Sequence, residues 1–144
     1  MTNDYDHYEP KLKVRDFMAR SPVTIQAESS LAQVTETLAE YDVSGLPVVD
    51  EGGSVIGVIS QTDIVRLRAG SMPTSGWPGL LVRDLMTHPA VTVSASASLH
   101  EAARLMTEHR VHRLVVVAER DGAPVGVISE SDVVREVAAL TEED

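Results

Sequence analysis

The chain has 144 residues, 43% of them apolar, with a formal net charge of -10 and no cysteine. That is enough apolar chain for a globular core, and with aromatics at only 3% the core must be Val, Leu, Ile, Ala and Met. The acidic balance excludes a duplex nucleic acid or an anionic membrane surface as partner, the lack of rings disfavours stacked single-stranded bases, and the lack of cysteine removes disulfides, thiolate metal sites and a cysteine nucleophile.

No stretch is apolar enough to span a bilayer, and residues 1–6 carry no signal-peptide pattern, so a soluble cytoplasmic protein is expected. Only Lys11 and Lys13 are lysines; the other basic residues are arginines, better suited to bidentate oxyanion contacts, although most of them serve as solvated surface.

Residues 1–12 are polar and mostly acidic and read as a flexible tail, with Tyr5, His7 and Tyr8 in it. Order is expected to begin at Val14-Arg15-Asp16-Phe17-Met18, which returns as Val82-Arg83-Asp84-Leu85-Met86, an offset of 68. The offset holds through Thr24/Thr92, Leu31/Leu99, Val43/Val111 and Leu46/Leu114. One extra residue enters near 121–124, after which Gly57 meets Gly126 at an offset of 69. About 22 aligned positions are identical, so the chain is an internal duplication.

Each copy begins with a short helical turn, Arg15–Ala19 in the first, and continues into an extended piece, Val23-Thr24-Ile25. Ser30 then opens a helix with Gln33 as its capping-box partner; Ser98 and Glu101 are expected to do the same in the second copy. Leu31, Val34, Leu38 and Tyr41 share one helix face, and Leu99, Ala102, Ala103 and Met106 the matching one. A strand follows (Leu46–Val49, Leu114–Val117), then a Gly-containing turn, then a second strand (Val55–Ser60, Val125–Ser129) that closes a hairpin. The last helices are expected over 62–69 and 131–140.

The repeating unit is thus β-α-β-β-α, about 55 residues, too small to bury much surface alone. The expected fold class is α/β (α+β): two β-α-β-β-α repeats packed with pseudo-two-fold symmetry to complete one core. The expected organisation is repeat 1 over 13–69, a Gly/Pro/Ser-rich linker over 70–80 with Trp77 as a packing plug, repeat 2 over 81–140, and an acidic tail over 141–144.

The chemistry-bearing stretch is Gly57-Val58-Ile59-Ser60-Gln61-Thr62-Asp63, repeated as Gly126-Val127-Ile128-Ser129-Glu130-Ser131-Asp132. An apolar run bounded by glycine reads as a buried strand, followed by a turn and a helix start. Two readings of its Ser-x-x-Asp stay open. The serine and aspartate can serve the first turn of the helix as a cap. Alternatively, free N–H groups, a hydroxyl and a carboxylate at a helix N-terminus can receive a phosphate and a ribose diol. The second copy adds weight to a site.

Together these motifs resemble the cystathionine β-synthase (CBS) domain, and the tandem resembles a CBS pair, or Bateman module. The resemblance covers about residues 12–140. It rests on Ser44-Gly45-Leu46-Pro47-Val48-Val49-Asp50 and Gly57 to Asp63 in the first copy, and on His112-Arg113-Leu114-Val115-Val116-Val117 and Gly126 to Asp132 in the second. It implies a regulatory module that binds AMP, ADP, ATP or S-adenosylmethionine in the cleft between repeats. By it, Asp63 and Asp132 hold the ribose diol, while Ser60, Thr62, Ser129 and Ser131 contact ribose or phosphate. Thr24, Ile25, Gln26 and Ala27, with Thr92, Val93, Ser94 and Ala95, hold the adenine through backbone groups and apolar side chains. Gly45, Leu46 and Pro47 line the wall, and Leu114 stands at the matching place in the second copy.

The second copy departs from the first: Val115 replaces Pro47, and His112-Arg113 replace Ser44-Gly45. The run His112 to Val117 is similar to the nucleotide-contacting run of the AMP-activated kinase γ subunit, which implies that His112 and Arg113 reach phosphates. Read without that resemblance, they are ordinary residues at a strand start. His88, His100 and His109 have no carboxylate partners at ligand spacing, so no metal site is expected.

Three functions come into question for such a chain. The first is a stand-alone adenosine-ligand sensor acting on an unidentified protein target or through oligomer state, without a required cofactor. The second is a ligand-free dimeric scaffold, since CBS pairs associate as homodimers and two-fold symmetry is the commonest for small chains. The third, an enzyme, is rejected. CBS pairs occur within IMP dehydrogenase, but its catalytic barrel needs a cysteine and far more chain, and no acid–base pair or nucleophile triad stands out.

Overall fold

The computed structural model describes residues 12–20 and 23–142; the tail with Tyr5, His7 and Tyr8, residues 21–22 and residues 143–144 lie outside the described residues. The elements run α1 (Val14–Phe17), β1 (Ala19–Arg20), β2 (Ile25–Gln26), α2 (Leu31–Glu40), β3 (Gly45–Val49), β4 (Val55–Ser60) and α3 (Gln61–Ala69). A 3-10 turn (Thr74–Gly79) follows, then α4 (Val82–Leu85), β5 (Thr92–Ser94), α5 (Leu99–His109), β6 (Arg113–Val117), β7 (Pro124–Ser129) and α6 (Glu130–Thr141). The duplicated β-α-β-β-α order is present in both copies.

Two compact units result, and they are offset from the sequence repeats by one segment. The inner unit comprises residues 23–90, and the outer unit comprises 12–20 with 91–142. The segment before each repeat therefore completes the unit built on the other repeat. In the inner unit β2 runs parallel to β3, and β3 antiparallel to β4. Val58 on β4 is bridged to Thr87, from the segment after α4, by two backbone hydrogen bonds of 3.0 and 2.9 Å. In the outer unit the sheet order is β1-β7-β6-β5, with Ala19 opposite Val127 and Arg20 opposite Gly126. The short helices dock by matched bonds: Val82 N–H to Ser29 C=O at 2.8 Å in the inner unit, and Val14 N–H to Ala97 C=O at 2.8 Å in the outer.

Each unit buries its own apolar cluster, whereas one shared core was expected. Val82 joins Ile25, Val34, Leu38, Leu46, Val48 and Ile59 in the inner unit. Val14 joins Val93, Leu99, Met106, Leu114, Val116 and Ile128 in the outer. Leu46, Ile59, Leu99, Leu114 and Ile128 are fully buried, and each such side chain contributes about 1.5–3 kcal/mol of transfer free energy.

Local expectations are corrected in four places. The first helical turn stops at Phe17, and Ala19 is already strand, because its backbone pairs with β7. Tyr41 lies beyond the end of α2 and is 52% exposed, so it leaves the face of Val34 and Leu38. The capping box of α2 forms in both directions, with Ser30 N–H to Gln33 Oε1 at 2.8 Å and Gln33 N–H to Ser30 Oγ at 3.1 Å. In α5 only Ser98 caps, because the Glu101 carboxylate turns to the Arg104 guanidinium through bonds of 3.0 and 2.9 Å. A bidentate ionic pair outcompetes one neutral N–H donor.

The fourth correction concerns the glycine of the repeated stretch. Gly57 and Gly126 do not bound their strands; they sit inside β4 and β7. A Cβ on Gly126 would lie 2.5 Å from the Ala19 carbonyl oxygen, and one on Gly57 would lie 2.8 Å from the Thr87 carbonyl oxygen. Glycine is required because another backbone passes directly over it.

Candidate functional site

Each unit has a corner where a hairpin strand ends and a helix begins. In the inner unit Gly45 pairs with Ser60, and Gln61 N–H donates to the Ser44 carbonyl at 2.9 Å. In the outer unit Arg113 pairs with Ser129, and Glu130 N–H donates to the His112 carbonyl at 3.1 Å. The hairpin register thus sets Gly45, Ser60, Thr62 and Asp63 at one corner, and His112, Arg113, Ser129, Ser131 and Asp132 at the other.

Both aspartates are buried, 5% and 9% exposed, and a buried carboxylate must be hydrogen-bonded. Asp63 Oδ2 accepts from Ser60 N–H at 2.8 Å and from the Ser60 hydroxyl at 3.2 Å. Its Oδ1 accepts from the Thr87 hydroxyl at 3.2 Å, with Arg66 Nη1 at 3.8 Å. Asp132 Oδ2 accepts from Ser129 N–H at 2.8 Å and the Ser129 hydroxyl at 3.1 Å, while Oδ1 accepts from Arg135 Nη2 at 2.5 Å. Both aspartates therefore cap the serine N–H in their own turn, as one of the two open readings held. The serine hydroxyl in each turn donates to that carboxylate. A carboxylate offers about four acceptor positions, so three bonds on each leave room for one more donor.

The remaining candidate residues divide by strand alternation. Ile25, Ala27 and Leu46 point into the inner core, and Val93 and Leu114 into the outer one. Only their backbones are left to meet a ligand. Pro47, adjacent to Leu46 and so on the opposite face of β3, is also fully buried. The backbone of Ala27 is taken on both sides, N–H by the Val49 carbonyl at 3.2 Å and C=O by Arg83 N–H at 2.9 Å. Ala95 matches it, with the Val117 carbonyl and Arg15 N–H each at 3.0 Å. Ser94 Oγ is engaged by Ser96 through its N–H at 3.2 Å. Thr24 is half-buried just before β2, while Gln26 and Thr92 are exposed. A hollow of about 440 Å³ opens beside Gln26 and Ala27, with Val49 and Ile56 as apolar lining and Glu28, Asp50 and Glu51 as acidic lining.

The corners differ in charge. His112 Nδ1 lies 3.0 Å from Glu130 Oε1 on an exposed surface. Arg113 is half-buried, and its Nε is sealed from solvent without a hydrogen-bond partner. The matching inner residues, Ser44 and Gly45, carry no charge. Among the described residues no three His, Cys, Asp or Glu side chains gather as a metal site, and no helix is long and apolar enough to cross a membrane.

Three participants were not anticipated. Arg66 and Arg135 follow the aspartates by three positions in both copies, one turn along the same helix face, so extending the repeated motif by one turn finds them. Thr87 left no such signal, because its counterpart in the other copy is Ala19. Trp77 lies half-buried in the 3-10 turn under Arg68, 6.0 Å from guanidinium to ring, and lines an apolar hollow of about 620 Å³ with Leu31, Ile64 and Leu67. It is a wall of that hollow rather than a plug.

The CBS domain model matches residues 14–70 and again 82–139. Hypoxic response protein 1 of Mycobacterium tuberculosis is 30% identical over 123 residues, 84% of this chain and 82% of that protein. Chloroplastic CBSX2 of Arabidopsis thaliana is 30% identical over 156 residues, 90% of this chain and 65% of that protein. The crystal structure of CBSX2 in complex with AMP superposes with a TM-score of 0.67 at 32% identity, covering 91% of this chain and 99% of that one. Inosine-5'-monophosphate dehydrogenase of Korarchaeum cryptofilum is 29% identical over 121 residues, 84% of this chain but only 23% of the enzyme's length.

Proposed function

The chain belongs to the CBS-domain family, and from that premise we propose that it is a regulatory sensor module that binds an adenosine-containing ligand, AMP, ADP, ATP or S-adenosylmethionine. The observation that carries this reading is the duplicated corner: a buried carboxylate with one acceptor position left, next to a serine, at the start of a helix. The ribose diol meets Asp63 or Asp132. Thr62 and Ser131 stand beside them for ribose or phosphate. In the inner unit the hollow beside Gln26 and Ala27 takes the base, and its acidic lining suits the exocyclic amino group of adenine as donor. In the outer unit His112 and Arg113 meet the phosphate, which supplies the acceptor that Arg113 Nε lacks. The crystal structure of CBSX2 with AMP supports this choice of ligand class. The module acts in the cytoplasm, catalyses nothing itself and passes ligand occupancy to a protein target.

Isothermal titration and thermal shift with AMP, ATP and S-adenosylmethionine test the reading. A ligand at about 100-fold its dissociation constant stabilises the folded chain by about 2.7 kcal/mol, a rise of several degrees. No heat and no shift with any of the three refutes it.

A second reading has its own support. Both aspartates already cap helices, and Val65 on α3 and Val134, Val137 and Leu140 on α6 are exposed apolar residues. These suit a ligand-free homodimeric scaffold held through helices. A dimer by sedimentation together with silence toward all three ligands selects it.

A further inference from the structure

The two corners hold their aspartates by different means. Asp63 Oδ1 receives a neutral hydroxyl, Thr87 at 3.2 Å, and Arg66 stands off at 3.8 Å. Asp132 Oδ1 receives the Arg135 guanidinium directly. The same nitrogen, Nη2, donates to the carbonyl of Phe17 at 2.9 Å, and the guanidinium carbon lies 5.8 Å from the Phe17 ring centre. Phe17 ends α1, two residues before Ala19 opens β1, so one guanidinium ties the outer corner to the segment that completes its sheet. The inner unit has Leu85 at the matching position, which offers no ring.

We propose that Arg135 is a latch on the outer corner. This rests on the adenosine reading above and deepens it. With two bonds on Oδ2, the one acceptor position left on Asp132 lies on Oδ1 beside the Arg135 guanidinium, so ligand and arginine compete for that oxygen. At the inner corner the same oxygen meets a neutral hydroxyl and only a distant guanidinium, so that corner fills first. Because a single nitrogen makes both bonds, displacing it from Asp132 also loosens its hold on Phe17. Filling the outer corner therefore removes one tie at Phe17, next to the β1 pairing, while Val14 stays docked in the core, and the loosened edge gives a target protein something to read.

The test uses the full chain with AMP as probe. Asp63→Asn weakens the inner corner while keeping an acceptor for Ser60 N–H, and Arg135→Met keeps the stem on Phe17 but removes the donors. In the Asp63→Asn background, Arg135→Met is expected to tighten AMP binding roughly two- to fivefold, the size of a partly exposed ion pair. Arg66→Met in an Asp132→Asn background is expected to change affinity less than twofold. Amide exchange at Met18 to Arg20 is expected to quicken when AMP saturates the wild type, and to be already fast in Arg135→Met without AMP. Unchanged or weaker AMP binding by Asp63→Asn/Arg135→Met overturns the latch, weaker binding meaning that Arg135 serves the ligand. If AMP binds the Asp132→Asn chain while Arg135→Met changes neither affinity nor exchange, the latch alone is wrong. If AMP binds no variant and not the wild type, the adenosine reading falls and the latch with it.

Discussion

Gly126→Ala tests how each unit is assembled. The added methyl would lie 2.5 Å from the Ala19 carbonyl oxygen, 2.9 Å from Met18 Sδ and 3.4 Å from the Ala19 carbonyl carbon. The thioether can turn away, but the carbonyl belongs to β1 and must retreat by roughly an ångström, given normal carbon contacts of about 3.5 Å. That retreat strains or opens the pairing of Ala19 with Val127 and Arg20 with Gly126. Overpacking costs about 1–3 kcal/mol, and each backbone bond lost costs about 0.5–1.5 kcal/mol more. Together they give about 2–4 kcal/mol, a large share of a typical domain stability of about 5–15 kcal/mol. Gly57→Ala meets Thr87 O and Met86 Sδ at 2.8 Å, so the carbonyl gives less ground and the cost is smaller, about 1–3 kcal/mol. Gly79→Ala meets nothing within 4 Å and is expected to stay within about 0.5 kcal/mol of wild type. Urea unfolding followed by far-ultraviolet circular dichroism ranks the three. A Gly126→Ala chain as stable as the Gly79→Ala chain would refute the packing of residues 14–20 onto β7.

Two further changes follow from local geometry. Arg110, at the C-cap of α5, has φ 55° and ψ 46°, a left-handed conformation that costs a side-chain-bearing residue about 1–2 kcal/mol; Arg110→Gly is expected to raise the urea midpoint by the equivalent of about 1 kcal/mol, and a lowered midpoint would contradict the assigned cap. The hydrogen bond from Arg104 holds the Glu101 carboxyl below its ordinary value of 4.5. A carboxyl with a depressed folded value stabilises above its unfolded value and loses that contribution as pH falls through the folded one. The gap between wild type and Glu101→Gln is therefore expected to be present at pH 7 and to be lost as the pH falls below 4.5 and through the lowered folded value, and to be small, since the pair is exposed. A gap that persists in acid would assign the effect to helix propensity instead.

Much of the fold is legible because its signals are local. The continuous apolar runs Leu46–Val49 and Leu114–Val117 mark buried strands, and the longer second hairpin loop accounts for the change of offset from 68 to 69. Ser30 and Gln33 announce a helix start through chemistry contained within four residues. What escapes is whatever a distant backbone decides. Glu101 has a capping-box position but finds Arg104 one turn later, and the sequence does not weigh one donor against the other. Thr87 reaches Asp63 only because the segment after α4 crosses β4, a placement absent from either residue's neighbourhood.

The offset between repeat and unit has the same origin, and it explains the conserved-looking duplication more closely than the motif alone. Val14 and Val82 are the same residue in the same short pattern, and the sites that receive them, before α5 and before α2, are built from matching positions. A short helix docked on its own repeat or on the other would make nearly the same local contacts. The sequence pattern therefore cannot choose between them; chain connectivity and the backbone passing over Gly57 and Gly126 do. This exchange also places Phe17 beneath Arg135 and Thr87 against Asp63. Each corner is thus finished by a segment adjoining the other repeat in sequence, and the two corners differ because those segments differ: Phe17 and Ala19 stand where Leu85 and Thr87 stand in the other copy.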